Sequence, residues 1–130
     1  MMRNAEDYVA WIKSVIALCP FVVHLFLIRE EVLTDRGLWR YRLTLQDESL
    51  LELFEFFIIE SDKVNVIKYS FHWQTKNGQL IKRWDNAAHH PEIITHPHHL
   101  HDGIKNSVLP YEPVDIQAIL SLISAQLNLD

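Results

Sequence analysis

The 130-residue sequence has few of the residues on which disulfide and nucleotide-cofactor chemistry depend. Its single cysteine, Cys19, cannot form an intramolecular disulfide, which fits a reducing cytoplasm. Only three glycines occur, and no P-loop, GxGxxG, GxSxG or kinase-type motif is present. Nucleotide cofactors held by glycine-rich loops are therefore not expected.

A membrane span is also lacking. The stretch from Val15 to Ile28 is almost wholly apolar but covers 14 residues, and a bilayer requires roughly 20. Pro20 interrupts it, and Glu6 and Asp7 stand where a signal peptide would carry positive charge. We therefore expect a cytoplasmic chain with no membrane association.

The sequence also lacks an excess of positive charge. The formal net charge is −5 with the histidines neutral, which argues against broad electrostatic binding to nucleic acid but allows a small local basic site. Apolar residues make up 48% of the chain and charged residues 22%, as in an ordinary globular protein. The length suits a single domain spanning residues 1–130.

Helical patterns lie at both ends of the chain. Asn4 is a suitable N-cap, and the following apolar residues recur at helical spacing up to Pro20: Tyr8, Ile12, Val15, Ile16 and Cys19. Pro113 suits the first turn of a last helix, whose apolar positions are Ile116, Ile119, Leu120, Ile123 and Leu127.

Between these helices the sequence favours β-strands. Strand patterns cover residues 21–31, 38–45, 50–60 and 63–75, and a fifth strand follows Asn77-Gly78. Trp39, Tyr41, Leu43 and Leu45 alternate with polar residues, as in a half-buried strand. The predicted fold is α+β: an N-terminal helix, a five-stranded mainly antiparallel meander, a long histidine-rich loop over Asp85–Tyr111 and a C-terminal helix, in two layers.

Asn77-Gly78 between alternating segments predicts a two-residue type I′ hairpin. Lys76 would then pair with Gln79, and the residue numbers of every later pair would sum to 155. One face of the hairpin would pair Phe71 with Trp84, Trp73 with Lys82 and Tyr69 with Asn86. The other would pair His72 with Arg83, Ser70 with Asp85 and Gln74 with Ile81. The aromatic face should be covered by the helices, and the face with Arg40, Arg42, His72, Arg83 and Asp85 should be open.

The first candidate site is this open face, where His72, Arg83 and Asp85 would be neighbours. Aspartate can orient an imidazole, and arginine can hold phosphate or carboxylate with two hydrogen bonds. The alternative is a solvated polar face with a weak cross-strand ion pair. Glu52 and Glu55 should lie on opposite faces of their strand, so they do not form a paired-carboxylate site.

The second candidate is the loop, with six histidines between His89 and His101. Histidine transfers protons near neutral pH or binds metals through a neutral ring nitrogen. The spacing matches neither HExxH nor a zinc finger, so no metal cofactor is expected. If a divalent metal such as zinc binds, the pairs spaced by two residues are its predicted ligands: His96, His98, His99 and His101. Alternatively, the histidines cap nearby carbonyl groups in a polar loop.

The stretch from Lys68 to His101 resembles the TumE family of toxin components of prokaryotic toxin–antitoxin systems. The matching segments are KYSFHWQ (68–74), an NG turn, LIKRWDNAAHHPE (80–92) and HPHHLH (96–101). The layout of helices and meander is also similar, so the resemblance covers most of the chain. Ala88 stands where the family commonly has proline, and His96 where it has phenylalanine.

The resemblance implies a cytoplasmic toxin that is neutralised by an antitoxin protein, and a homodimer is compatible with it. Many toxins of this kind are ribonucleases, and RNA cleavage through the 2′-OH requires a base, an acid and a cation beside the phosphorane. The candidate catalytic residues are His72, Arg83, Asp85, His90, His98 and His99. The candidate RNA-contacting residues are Arg40, Arg42, Lys68, Lys82 and Asn86. A non-catalytic protein-interaction module and a metal-dependent hydrolase are the alternatives.

Overall fold

Two helices and one antiparallel sheet form the fold in the computed structural model, which describes residues 4–128. The seven strands are neighbours in chain order, so the predicted α+β meander is confirmed and the predicted number of five strands is wrong. The elements are α1 (Ala5–Ala17), β1 (Val22–Val32), β2 (Arg36–Leu45), β3 (Leu50–Glu60), β4 (Lys63–Gln74), β5 (Leu80–Asp85), β6 (His99–Asp102), β7 (Ser107–Pro110) and α2 (Ile116–Asn128).

Both helices begin at polar caps. The Asn4 side chain accepts a hydrogen bond from the Asp7 backbone N–H at 2.8 Å, which confirms its predicted role. At α2 the cap is Asp115, whose carboxylate accepts from the Ala118 N–H at 2.8 Å. Pro113 therefore precedes the helix and does not occupy its first turn, because the Asp115 cap places the helix start at Ile116.

The helices cover one face of the sheet, which makes two layers. The predicted alternation in β2 is confirmed, since Trp39, Tyr41, Leu43 and Leu45 are all buried. They pack in one core with residues of β3 to β6 and with the apolar stripes of α1 and α2. Burial of each such side chain contributes roughly 1.5–3 kcal/mol to the stability of the fold. Because side chains alternate along a strand, burial of these residues places their neighbours on the opposite face of the sheet.

The β4–β5 hairpin keeps most of the predicted register but not the predicted turn. Thr75 donates its N–H to Gln79 and accepts from the Gly78 N–H, so the loop has three residues. Gly78 has a φ of 89°, as expected for a G1 bulge, and the turn is not type I′. Gln74 consequently pairs with Leu80 rather than with Ile81.

A second irregularity restores the register a residue later. The ladder shifts between Trp73 and Gln74, and the pairs beyond it sum to 155 as predicted: Trp73 with Lys82, His72 with Arg83, Phe71 with Trp84 and Ser70 with Asp85. Tyr69 does not form a ladder pair with Asn86. Its N–H instead donates to the Asn86 side-chain oxygen at 3.0 Å.

The predicted long loop over Asp85–Tyr111 contains a further hairpin, β6–β7, that extends the sheet beyond β5. Each strand has only four residues, too few to produce a periodic signal. The turn after β6 depends on Gly103, where an added Cβ would lie 1.9 Å from the Leu80 carbonyl oxygen. The Asp102 carboxylate stabilises this turn by accepting from two backbone N–H groups at 3.0 Å.

Glu55 is buried on the helix-covered face and Glu52 lies on the other, as predicted. The Tyr8 hydroxyl donates to Glu55 Oε1 at 2.5 Å, and the Trp39 indole N–H donates to the same oxygen at 3.2 Å. Burial raises the pKa of Glu55 to about 7, although these two hydrogen bonds oppose the shift. Folding therefore favours the protonated form of this carboxyl group.

Replacing Glu55 by glutamine should alter how stability depends on pH. Because the folded pKa is raised, the contribution of Glu55 is fully present below its ordinary pKa of 4.5 and is lost as the pH rises through about 7. Relative to wild type, Glu55→Gln should gain on the order of 3 kcal/mol across that window, measured by urea unfolding. Glu52→Gln is the control. Because the pKa of Glu52 is lowered, its contribution is present above about pH 4.5 and is lost at lower pH, so the difference between Glu52→Gln and wild type should stay nearly constant between pH 4.5 and 7. A pH-independent difference for Glu55→Gln would contradict the assignment.

Candidate functional site

The sheet face opposite the helices carries a row of polar residues that crosses five strands. Each is the direct cross-strand partner of the next: Arg42 on β2, Glu52 on β3, His72 on β4, Arg83 on β5 and His101 on β6. A second row lies two residues away along each strand: Arg40, Phe54, Ser70, Asp85 and His99. We refer to these two rows as the polar face.

One end of the polar face is an arginine–glutamate cluster. Arg40 Nη1 lies 2.6 Å and Arg42 Nη2 3.0 Å from the Glu52 carboxylate. Burial tends to raise the pKa of Glu52, but hydrogen bonds from both arginines outweigh burial and hold the pKa below its ordinary value. Arg40 also stacks over the Phe54 ring at 4.5 Å from its centroid. Two arginines thus share the single carboxylate of Glu52, which leaves a net positive charge on this part of the polar face.

His72 lies between two hydrogen-bonding partners at the centre of the polar face. Its Nε2 lies 3.0 Å from the Gln74 side-chain oxygen, and Arg83 Nη1 donates to its Nδ1 at 3.2 Å. The carbonyl oxygen can only accept, and the guanidinium can only donate. These partners therefore favour neutral His72 with its proton on Nε2. Burial and the charge of Arg83 lower the pKa of His72 in agreement.

Asp85 is a buried carboxylate surrounded by donors. Arg83 Nε donates to its Oδ2 at 2.9 Å, and the Ala87 backbone N–H donates to its Oδ1 at 3.0 Å. His99 Nε2 lies 3.0 Å from Oδ1, and His101 Nε2 lies 3.6 Å from Oδ2. Asp85 thus connects Arg83 and the histidines of β6. The sequence had suggested that Asp85 orients His72, and the structure shows no such contact among the described residues.

Three histidine rings meet beside Asp85. His99 and His101 extend from β6, and His90 comes from the segment that follows β5. The ring centroids are 4.7–5.7 Å apart with interplanar angles of 69–75°. Their potential ligand atoms all lie within 4.8 Å of one another. Among residues 4–128, these are the histidines that the structure gathers as possible metal ligands.

A shallow cleft opens on the polar face beside this cluster. Its volume is about 400 Å³, and its lining residues are Arg42, Leu50, Glu52, His72, Gln74 and Arg83. Since His72 and Arg83 both line the cleft, a bound anion would meet a guanidinium and an imidazole together. The arrangement is therefore chemically suited to phosphate or carboxylate groups.

Most candidate residues from the sequence meet on the polar face, with His90 beside it, but four others lie outside its two rows. His98 lies against Tyr69, with its Nδ1 2.9 Å from the Tyr69 hydroxyl, on the side of the sheet that the helices cover. Lys82 pairs with Trp73 and so points to that same side. Asn86 bridges the backbone of β4 through Tyr69 and Ile67, which makes it structural. Lys68 is exposed further along β4.

The predicted metal set of His96, His98, His99 and His101 is not gathered as such. His99 and His101 belong to the observed cluster, but His98 faces Tyr69 and His96 is exposed. The sequence reasoning missed the combination of Asp85 with His90 and His101. The spacing of His99 and His101 had placed both side chains on one side of an extended segment, but the pairing of β6 with β5 that brings them beside Asp85 had no signal in the sequence.

Together, these features describe a small α+β domain whose antiparallel sheet is covered by helices on one face and carries arginine, histidine and carboxylate groups on the other. The family model described as Toxin TumE matches residues 12–127, so the chain belongs to the TumE toxin family. The family description supports a toxin role. No curated protein and no solved structure matches the chain. Within the described residues, both helices are too short to span a bilayer.

Substitutions beside His72 should move its pKa in opposite directions. The positive charge of Arg83 lowers this pKa, whereas Glu52 raises it. Arg83→Gln should therefore raise the pKa of His72 and Glu52→Gln should lower it, as measured by NMR titration of the imidazole signals. Lys82→Gln removes the same charge from the opposite face and should leave the value nearly unchanged. An equal shift in Lys82→Gln would contradict the direct contact.

Proposed function

We propose that this chain is the toxin of a cytoplasmic toxin–antitoxin pair and that it cleaves RNA on the polar face. The observation that carries the proposal is the contact between His72 and Arg83 at the wall of an open cleft. This contact places a proton-accepting nitrogen next to a fixed cation. Attack of the 2′-oxygen on the adjacent phosphorus gives a 2′,3′-cyclic phosphate and breaks the bond to the 5′-oxygen, which leaves with a proton from water. The attack requires a base for the 2′-OH proton and a cation beside the phosphorane.

His72 is the proposed base, because its neutral form carries a lone pair on Nδ1. Arg83 Nη1 donates to that lone pair, so an incoming 2′-OH would take the place of the guanidinium nitrogen. Arg83 would then donate to the phosphate oxygens while its Nε remains bonded to Asp85. The buried carboxylate therefore acts as a positioning group that keeps Arg83 in the cleft.

Recognition of RNA would be local, because the chain as a whole is acidic. Arg40, Arg42 and Arg83 supply three positive charges on the polar face against the carboxylates of Glu52 and Asp85. The proposed substrate is therefore a short, flexible stretch of RNA, since only a few phosphates can be contacted. Weak salt dependence should follow from so few contacts.

Toxicity and RNA cleavage should both depend on the His72–Arg83 pair. His72→Ala and Arg83→Ala should lower the cleavage rate by roughly 100-fold or more, the usual effect of removing an acid–base group or a fixed transition-state donor. Growth arrest and cleavage of labelled RNA are the measurements. The matched controls are His98→Ala and Lys82→Ala, which remove a histidine and a positive charge from the opposite face and should remain active.

Full activity of folded His72→Ala and Arg83→Ala would overturn the assignment of these residues. Absence of RNA cleavage by pure wild type, despite growth arrest, would instead favour the non-catalytic interaction module. Circular dichroism of each variant separates a loss of function from a loss of folding.

The sheet has an edge that suits the proposed antitoxin. β1 has 11 residues, and within residues 4–128 it pairs only with β2. Phe26 is 61% exposed, and Leu27 and Ile28 on the same strand are also exposed. A long apolar edge strand is an aggregation hazard unless another chain covers it. We propose that an extended antitoxin segment pairs with β1 by strand addition.

Substitution of Phe26 by lysine should weaken antitoxin binding. Loss of one buried phenylalanine contact costs about 1.5–3 kcal/mol, which corresponds to an affinity loss of roughly 10-fold or more. The measurement is titration with the protein encoded by the neighbouring reading frame. Ile104→Lys, an exposed apolar position in the β6–β7 turn, is the control. Equal weakening by both variants would contradict the proposal that the antitoxin binds at β1. If wild type instead forms a dimer and Phe26→Lys is a monomer, the partner at β1 is a second copy of this chain.

A further inference from the structure

We propose that Asp85, His90, His99 and His101 bind one divalent transition-metal ion, with zinc as the best fit. The site would use three imidazoles and one carboxylate. Zinc favours four nitrogen, sulfur or oxygen ligands in a tetrahedron, and no thiolate is needed for such a set. Metal binding can be tested separately from RNA cleavage, because its measurement requires no substrate.

The protonation pattern of His99 gives the first argument. Its Nδ1 lies 2.9 Å from the Pro97 carbonyl oxygen, which can only accept, so Nδ1 carries the proton. In neutral His99 the lone pair is therefore on Nε2. That atom faces the Asp85 carboxylate at 3.0 Å and His101 Nε2 at 3.0 Å. The Nε2 lone pair of His99 and the Asp85 carboxylate are both acceptors, and they face each other where His99 is only 2% exposed. A cation bound between them would explain this arrangement.

The spacing of the ligand atoms gives the second argument. Zinc–nitrogen bonds of about 2.0–2.1 Å in a tetrahedron separate neighbouring ligand atoms by about 3.3 Å. His99 Nε2 lies 3.0 Å from Asp85 Oδ1 and 3.0 Å from His101 Nε2, and His101 Nε2 lies 3.6 Å from the other carboxylate oxygen, Asp85 Oδ2. The two separations measured from His99 are close to the tetrahedral distance. The third histidine, His90, also lies within 4.8 Å of the other two.

The groups around the ligands hold them in position. The Pro97 carbonyl fixes the tautomer and orientation of His99, as carbonyl groups commonly do for metal-binding histidines. Arg83 Nε and the Ala87 N–H each donate to one oxygen of Asp85, so the carboxylate cannot rotate. Asp85 and His99 are also direct cross-strand partners in the sheet. The site is therefore preorganised by β5 and β6, and the segment carrying His90 completes it.

The competing explanation is a protonated His99 that donates to Asp85. The Nε2–H of such an imidazolium could be shared between Asp85 and His101 Nε2. It does not account for His90, whose potential ligand atom lies within 4.8 Å of those of His99 and His101. A metal ion accounts for all of these contacts with neutral imidazoles.

Metal content of the untagged protein tests the proposal directly. Purified wild type should contain about one zinc per chain by mass spectrometry, and chelator-treated protein should take up one equivalent in calorimetry. His90→Gln, His101→Gln and Asp85→Asn should weaken zinc binding by more than about 100-fold, because even changes behind a ligand cost about 10–100-fold. His89→Gln and His96→Gln are the controls, since both residues are exposed near the cluster, and they should bind zinc like wild type.

Cobalt substitution adds a readout that does not depend on affinity. Co²⁺ in the site should give the intense visible bands of a tetrahedral ion, which His90→Gln and His101→Gln should lose while remaining folded by circular dichroism. Folded wild type that takes up no zinc, or zinc binding that His89→Gln weakens as much as His101→Gln does, would overturn the proposal. A protein that binds zinc but cuts no RNA would retain the site and refute the ribonuclease.

Discussion

A buried carboxylate organises the candidate site of this protein. Asp85 is only 4% exposed, and an ionised group in such a place costs several kcal/mol unless donors or cations surround it. The Arg83 guanidinium and the Ala87 N–H donate to this carboxylate, and the proposed metal ion, shared with His99, would supply a second cation. These residues come from β5, from the segment after it and from β6. Satisfying one anion therefore fixes the geometry of the whole cluster.

The two faces of the sheet treat carboxylates in opposite ways. Glu55, on the helix-covered side, has Tyr8 and Trp39 as neutral donors, and burial raises its pKa to about 7. On the polar face Glu52 has two arginines as partners, and its pKa is lowered. The helix-covered side can thus hold a neutral acid, whereas the polar face holds charges in alternating sign. Only the latter arrangement suits phosphate chemistry, because it presents fixed cations to a cleft.

The elements predicted well from the sequence are those in which long-range burial repeats over many residues. β2 alternates through its whole length, and α1 and α2 each show a full apolar stripe, so their faces follow from periodicity. The β6–β7 hairpin was missed because four residues cannot show a period. Its only signals were Asp102-Gly103 and the alternation of His99 with Leu100 and His101. The predicted turn type between β4 and β5 was wrong because Asn77-Gly78 also suits a three-residue loop with a bulge.

The candidate site could be predicted only in part for the same reason. His72 opposite Arg83 follows from the hairpin register, whereas the contacts of Asp85 with His99 and His101 require β6 to be in place. This division separates the chemistry as well. A histidine whose lone pair binds a metal cannot also accept a proton, so a metal on His99 and His101 would leave His72 as the proton-transferring residue. Arg83 touches both sides, through Nη1 to His72 and through Nε to Asp85. The metal site and the proposed base would therefore communicate through one guanidinium, whose position each of them restrains.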